Sequence, residues 1–148
     1  MDAELQIEGF IAKFSDPIAA EIRAARAEMR RRLPGAVELV YDNYNALAIG
    51  YGASEKLADV VFSIACFPGW LRLFFFRGAE LDDPEGRLDG AGAQVRSLKL
   101  PTLAVLDDPA VQVLMAQALA RAAPINPAAP SRSVVKSISA KQRPRRRA

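Results

Sequence analysis

The spacing of apolar residues changes from a helical to a strand-like period at Pro34-Gly35, and this change constrains the fold more than any other feature. Before it, the apolar residues of 4–14 and 18–33 recur every three or four positions, which is typical of amphipathic helices. From 36 to 100 the period is two, and β-branched and aromatic residues are common, which indicates strands. This order of elements predicts an α+β fold.

Two Asp-Pro pairs indicate where the second and the last helix begin. In Asp16-Pro17 and Asp108-Pro109 the Asp carboxylate can cap the helix, while Pro takes the first helical position, where its missing N–H costs nothing. We therefore expect a second helix that ends near Arg32 and a last helix that follows Asp108.

Turn signals divide the segment between these helices into five strands. The links are short enough for hairpins, so the sheet is predicted to be antiparallel. Pro68-Gly69 suits a type II turn in which Gly supplies a positive φ. The fold class is thus α+β, a two-layer sandwich with N-terminal helices, a five-stranded antiparallel sheet and a C-terminal helix. The expected strands are 37–42, 46–51, 59–67, 70–76 and 94–100.

The third and fourth strands are apolar on both faces. A strand with one face in water alternates between apolar and polar residues, and these two strands do not. We expect part of the second sheet face to be covered by a partner subunit in a homodimer, by a bound ligand or by the loop 77–93.

Charge divides the chain into two parts. All 17 acidic residues lie at or before Asp108, whereas residues 124–148 hold seven of the 20 basic residues, four prolines, no acid and no aromatic residue. This composition predicts a folded domain, 1–123, and a basic disordered tail, 124–148. The tail is either an arm that contacts nucleic acid non-specifically or a solvated segment with no specific partner. Its candidate contacts are Lys141, Arg143, Arg145, Arg146 and Arg147.

Composition excludes several classes of chemistry. The chain has no His, so Ser-His-Asp hydrolysis and His-ligated zinc are ruled out. The single Cys66 cannot form an intramolecular disulfide, and it is expected to be a buried thiol with a raised pKa. The first residues are acidic and no long apolar run is uninterrupted, so we expect a cytoplasmic protein with no membrane span.

Two groups of carboxylates are candidate metal ligands. Glu4 and Glu8 form an acidic ridge at i, i+4 on the first helix, and Asp82 and Asp83 lie in an acid-rich loop, 78–92. Hard cations accept such oxygen ligands without His or Cys. The alternatives are favourable charge near a helix N-terminus for the ridge, and an ordered connection held by Arg–carboxylate pairs for the loop.

Candidate ligand-binding residues lie at or beside the turns of the sheet. Tyr41, Asp42, Tyr44 and Trp70 could line a pocket, or they could form cross-strand packing pairs. Arg96 is a candidate anion clamp, and an enzyme that combines it with Asp or Tyr acid–base chemistry is one hypothesis.

Residues 7–122 resemble the YdhG-like domain family, a bacterial group of unknown function. The resemblance rests on the Leu33-Pro34 helix exit, on the strand at Val37 followed by Tyr44, and above all on the glycine-, Asp- and Pro-containing pattern of 78–96. It implies a helix, antiparallel sheet and helix in sequence. Some members are described as frataxin-like intracellular iron chaperones, which implies weak binding of ferrous iron by surface carboxylates.

We expect a binding domain rather than an enzyme, and the specific function that we expect is weak binding of iron. The alternative is a protein-interaction adaptor that recruits a partner through the apolar sheet face while its basic tail contacts nucleic acid.

Overall fold

All three predicted helices are present in the computed structural model, which describes residues 2–147. α1 spans Ala3–Ile11, α2 spans Asp16–Arg32 and α3 spans Pro109–Arg121. The Asp108 carboxylate caps α3 as predicted, because Ala110 N donates to it over 3.0 Å. The cap predicted for Asp16 is wrong: the Ser15 carbonyl already accepts the first helical hydrogen bond, from Ala19 N, so α2 begins one residue earlier.

The sheet has six strands and is mixed, so the prediction of five antiparallel strands is only partly correct. The first five strands are antiparallel neighbours in chain order, as expected, and the sixth is parallel to β1. The strand order is β5-β4-β3-β2-β1-β6. The strands are β1 Val37–Asp42, β2 Leu47–Gly52, β3 Val60–Cys66, β4 Leu71–Phe75, β5 Arg96–Lys99 and β6 Arg132–Ile138.

The sixth strand comes from the segment whose composition predicts a disordered tail, so the sheet extends past residue 123. Without β6, β1 would be an edge strand with unpaired backbone N–H and C=O groups. β6 pairs with the whole of β1, from Val37 opposite Arg132 to Asp42 opposite Ile138. Backbone pairing of this kind needs little apolar area from the added strand. A composition poor in apolar residues is therefore a weak guide where an unpaired edge is available.

The chain reaches β6 by crossing Gly35 at close range. Gly35 has φ +83°, and a Cβ at this position would stand 1.8 Å from the Asn126 carbonyl oxygen. Only glycine permits both this backbone conformation and this approach. The residues that follow α3 are thus packed against the turn between α2 and β1.

The helices share one core with the inner face of the sheet. Side chains of all three helices contact the inward residues of β2, β3 and β4, and Glu38, Val40 and Asp42 of β1 point to the same side. The opposite side is called the outer face. There Val37, Leu39 and Val60 form a second, smaller cluster with Tyr41, Phe76 and Val134 packed against it.

Part of the outer face is covered by the chain itself. Ser63 and Ala65 of β3 are small, and larger β4 residues lie opposite them, Phe74 and Arg72. The Arg72 guanidinium bonds to Ser97 Oγ and to Asp89 of the long loop. The loop therefore supplies one of the three coverings that the sequence predicts for this face.

The link between β3 and β4 is a tight hairpin turn, in which Phe67 N donates to Trp70 O over 2.9 Å. It is not the type II turn predicted from Pro68-Gly69. Within residues 2–147 the glycines with positive φ are Gly35, Gly86 and Gly90, and Gly69 is not among them.

Two further expectations can be compared with the structure. Cys66 is fully buried, and burial raises the pKa of its thiol, as predicted. No helix within residues 2–147 combines the length and the apolar character that crossing a membrane requires.

Candidate functional site

Three of the five predicted ligand-binding residues, Asp42, Tyr44 and Trp70, lie at the end of the sheet where β1 ends. The turn after β1 carries Tyr44, and the turn before β4 carries Trp70; the two turns are neighbours because Leu47 of β2 pairs with Cys66 of β3. β6 also ends here, since Ile138 lies opposite Asp42.

The structure separates Arg96 from these residues. Arg96 begins β5 and pairs with Phe75, at the opposite end of the sheet. Its guanidinium donates to the backbone carbonyls of Gly92 (2.6 Å) and Val95 (2.9 Å) and so holds the end of the long loop. Tyr41 is also apart from the turn residues, because it is half-buried on the outer face.

Asp42 is a buried anchor for the segment that follows β6. Its carboxylate is fully buried and accepts hydrogen bonds from Lys13 Nζ (2.8 Å) and from Arg145 Nη2 (3.0 Å). Burial alone raises the pKa of the Asp42 carboxyl, but these hydrogen bonds, that from Lys13 foremost, hold it below its ordinary value. Asp42 is therefore a charged structural residue, paired within the chain.

Arg145, predicted as a nucleic-acid contact, lies in the interior. It is 4% exposed and also donates to the carbonyls of Asn43 and Tyr44. Arg143 N donates to Tyr44 O over 2.9 Å, which fixes the segment beside the first turn. The anchored Arg145 leaves its neighbours Arg143, Arg146 and Arg147 exposed, and Lys141 is exposed as well.

These exposed arginines form one wall of an open cleft of about 740 Å³, and the turn before β4 forms the other. We call it the aromatic–arginine cleft. None of its lining residues is acidic. They are Asn45, Phe67, Pro68, Trp70, Arg143, Pro144, Arg146 and Arg147.

Aromatic rings pair with the arginines of the cleft. Trp70 is 47% exposed and stacks on Phe67, with ring centroids 4.9 Å apart and planes 13° apart. The Arg147 guanidinium carbon lies 5.8 Å from the Trp70 ring centroid, and that of Arg143 lies 5.6 Å from the Tyr44 ring centroid. Both distances are within the range of cation–π attraction.

Gly69 leaves space for the Arg147 guanidinium, whereas its backbone φ is not in the region that favours glycine. A Cβ at Gly69 would stand 2.1 Å from the nearest Arg147 guanidinium nitrogen. The missing side chain therefore makes room for Arg147 beside Trp70.

The acidic ridge on α1 is paired with arginines of α2. Glu4 accepts two hydrogen bonds from the Arg26 guanidinium, at 2.9 and 3.0 Å, and Glu8 accepts one from Arg23 Nε at 3.0 Å. The Arg26 hydrogen bonds lower the pKa of the Glu4 carboxyl. In this arrangement both candidate metal ligands serve to join α1 to α2.

The loop carboxylates also have local partners. The Asp83 carboxylate accepts from the backbone N–H groups of Arg87 and Leu88, each at 2.9 Å, which closes a turn inside the loop. The backbone of Asp82 exchanges two hydrogen bonds with the Gln117 amide of α3. Across residues 2–147, no three Asp, Glu, Cys or His side chains come together as a metal site.

The sequence analysis missed a buried network on the inner face of β1, between α2 and β6. Glu38 of β1 is 2% exposed and accepts hydrogen bonds from Arg26 (3.1 and 2.8 Å), from Tyr51 Oη (2.7 Å) and from Ser133 Oγ (2.7 Å). Burial raises the pKa of the Glu38 carboxyl, but Arg26, Tyr51 and Ser133 hold it below its ordinary value. The sequence contained a sign of this network, because the charged Glu38 falls on the same strand face as the apolar Val40.

Comparison with known proteins adds no relative, since neither a family model, nor a curated protein, nor a solved structure matches this chain.

Proposed function

We propose that this chain is a non-enzymatic cytoplasmic binding domain that holds nucleic acid in the aromatic–arginine cleft. The observation that supports the proposal is the make-up of the cleft: three exposed arginines, an exposed indole and no carboxylate. Arginine binds phosphate oxygens through paired hydrogen bonds, and each phosphate contact releases condensed counterions.

The charges of these arginines are available to an external anion. Within residues 2–147, Arg143, Arg146 and Arg147 take part in none of the ion pairs, whereas Arg23, Arg26 and Arg145 each hold a carboxylate. The acidic residues all precede residue 109, so the cleft is a positive region on a domain that is otherwise rich in acid. Such a local field directs a polyanion to one place on the surface.

The test compares two triple variants that change the net charge equally. R143Q/R146Q/R147Q removes the arginines of the cleft. The control, R23Q/R30Q/R31Q, removes three arginines of α2, of which Arg30 and Arg31 lie in its last turn, near the opposite end of the sheet. Binding of labelled single- and double-stranded oligonucleotides is measured by fluorescence anisotropy over a range of salt concentrations.

We expect only the cleft variant to change the salt dependence. The logarithmic slope of affinity against salt should become shallower by about 2 for single strands and about 3 for duplex DNA, at about 0.7 and 0.9 per phosphate contact. Equal slopes for the two variants, or no binding by the wild-type protein, would contradict the proposal.

Weak binding of ferrous iron, which the YdhG-like resemblance implies, stays a prediction. A metal at Glu4 and Glu8 would have to displace the arginines that now hold these carboxylates. An anaerobic titration of the wild-type protein and of E4Q/E8Q measures this directly, and equal affinity for iron in both would exclude the ridge as the site.

A homodimer or an adaptor function through the outer face also stays a prediction. Its large side chains Tyr41, Phe76 and Val134 are only half-buried by the chain itself, which leaves apolar area for a partner. Sedimentation of the wild-type protein over a range of concentrations tests the dimer, which predicts a mass that rises with concentration.

A further inference from the structure

We infer that the aromatic–arginine cleft binds an unpaired nucleobase stacked on Trp70, so that its substrate class is single-stranded nucleic acid. This inference rests on the proposed function and narrows it, because duplex and single-stranded nucleic acid share the same phosphates but differ in the exposure of their bases.

Trp70 has the geometry of a stacking platform. One face of its ring is stacked on Phe67, and almost half of the residue is exposed at the cleft. The Arg147 guanidinium carbon lies over the ring, 5.8 Å from its centroid, so a base that stacks on Trp70 takes the place of this exposed side chain. The hydrogen bond from Phe67 N to Trp70 O closes the turn and holds the two rings together. A ring that is already fixed loses little conformational entropy when a base stacks on it.

The apolar surface of the cleft favours an unpaired base over a duplex. In a duplex the faces of the bases are covered by their neighbours, so an exposed indole adds little to duplex binding. In a single strand the faces are accessible, and each base that stacks on an aromatic side chain adds affinity largely independent of sequence. Pro68 and Pro144 line the same cleft beside Trp70 and suit a flat apolar ring rather than a phosphate.

The arginines line the same cleft as Trp70, where they can bind the phosphates of a strand whose base stacks on the indole. Arg147 lies beside the indole and Arg143 lies beside Tyr44, and both are exposed. Arg145 lies between Arg143 and Arg147 in the sequence and is buried, so its ion pair with Asp42 fixes the backbone that carries these two arginines. Asn45 lines the cleft and supplies an amide that can both donate to and accept from a base edge.

The experiment uses the full chain and three probes of matched length. These are an oligothymidylate, an abasic oligomer with the same phosphates but no bases, and a DNA duplex. Trp70 is the only tryptophan in the chain, so the tryptophan emission reports this ring alone. Affinities are measured for the wild-type protein, for W70A and for W70F, whose ring can still stack.

We expect the oligothymidylate to quench the tryptophan emission and the abasic oligomer to leave it nearly unchanged. W70A should weaken binding of the oligothymidylate by between about fivefold and 150-fold, the range expected for one stacked base. W70F should retain most of the affinity, and W70A should bind the duplex and the abasic oligomer as the wild type does.

The outcomes separate this inference from the proposed function. If W70A loses no affinity for the oligothymidylate while R143Q/R146Q/R147Q loses affinity for every probe, the cleft binds phosphates without stacking and the inference is refuted. If the cleft variant and its control bind all probes equally, the proposed function fails and the inference fails with it. W70A retains Phe67 and the turn hydrogen bond, so the variant is expected to fold.

Discussion

Replacing Arg26 by Met is expected to lower the free energy of unfolding by about 3–4 kcal/mol at pH 7. Arg26 is 5% exposed and donates two hydrogen bonds to Glu38, which is 2% exposed. Met keeps the apolar stem but leaves the Glu38 carboxylate buried with only two hydroxyl donors. Loss of one partner of a buried ion pair costs about 3–5 kcal/mol. The lost pair with the half-exposed Glu4 adds at most about 1 kcal/mol.

Protonation of Glu38 limits this loss and makes it depend on pH. A Glu has an ordinary pKa of about 4.3, so neutralising it costs about 3.7 kcal/mol at pH 7 and about 1.6 kcal/mol at pH 5.5. In the wild type the pKa of Glu38 is lowered, so its contribution to stability is present above the unfolded-state pKa and is lost as the pH falls through the folded-state pKa. In R26M burial dominates and raises the pKa above its ordinary value. The difference in stability between wild type and R26M should therefore shrink as the pH falls.

Urea unfolding followed by far-ultraviolet circular dichroism at pH 7 and pH 5.5 measures these differences. The matched control is R23M on the same helix, whose ion pair with Glu8 is exposed on both sides and should change the stability by less than about 0.5 kcal/mol. E38Q in the R26M background removes the buried charge and should recover much of the lost stability. The reasoning is refuted if R26M costs less than about 1 kcal/mol at pH 7, costs as much at pH 5.5, or is not improved by E38Q.

Two further substitutions test how the segment after α3 is held. R145M should lower the free energy of unfolding by about 1.5–3 kcal/mol, the value of hydrogen bonds to a buried charge, because the buried Asp42 carboxylate loses its hydrogen bond from Arg145. Hydrogen exchange should also speed up at the β6 amides, and unchanged β6 protection would count against the anchor. G35A should cost at least about 2 kcal/mol in urea unfolding, because an L side chain at φ +83° is strained and its Cβ would meet the Asn126 carbonyl. The control is G9A in α1, where the added Cβ has nothing within 4 Å and should raise the free energy of unfolding by up to about 1 kcal/mol. If G35A is no less stable than G9A, the close approach to Asn126 is unimportant.

Helices and strands were predicted well where the sequence pattern that indicates them lies within a single helix or strand. The first strand spans Val37–Asp42, which are the bounds expected from the sequence, and the Asp108 cap forms as its Asp-Pro pair indicates. The aromatic–arginine cleft was anticipated only in part. Tyr44 and Trp70 were predicted to line a pocket and the basic residues to contact nucleic acid, but nothing in their spacing placed Arg147 beside Trp70.

Charge pairing was the least predictable property. The sequence indicates that Glu4, Asp42 and Arg145 are charged, but which of them face water depends on what packs against them. Arg145 belongs to a segment whose composition predicts a solvent-exposed tail, but its ion pair with Asp42 holds it in the interior. Glu38 pairs with a residue of α2 and accepts from a residue of β6, which lie 12 and 95 positions away in the chain.

The sequence by itself determined the three helices, the five antiparallel strands, their order and the exclusion of His-dependent chemistry. These follow from periods and residue types within a few positions of one another, where short-range sterics and hydrogen bonds decide. Only the tertiary structure decided that β6 completes the sheet beside β1, that Arg26 neutralises Glu38, and that the exposed arginines meet Trp70. Each of these depends on an unpaired strand edge or a buried charge that exists only once the rest of the chain has folded.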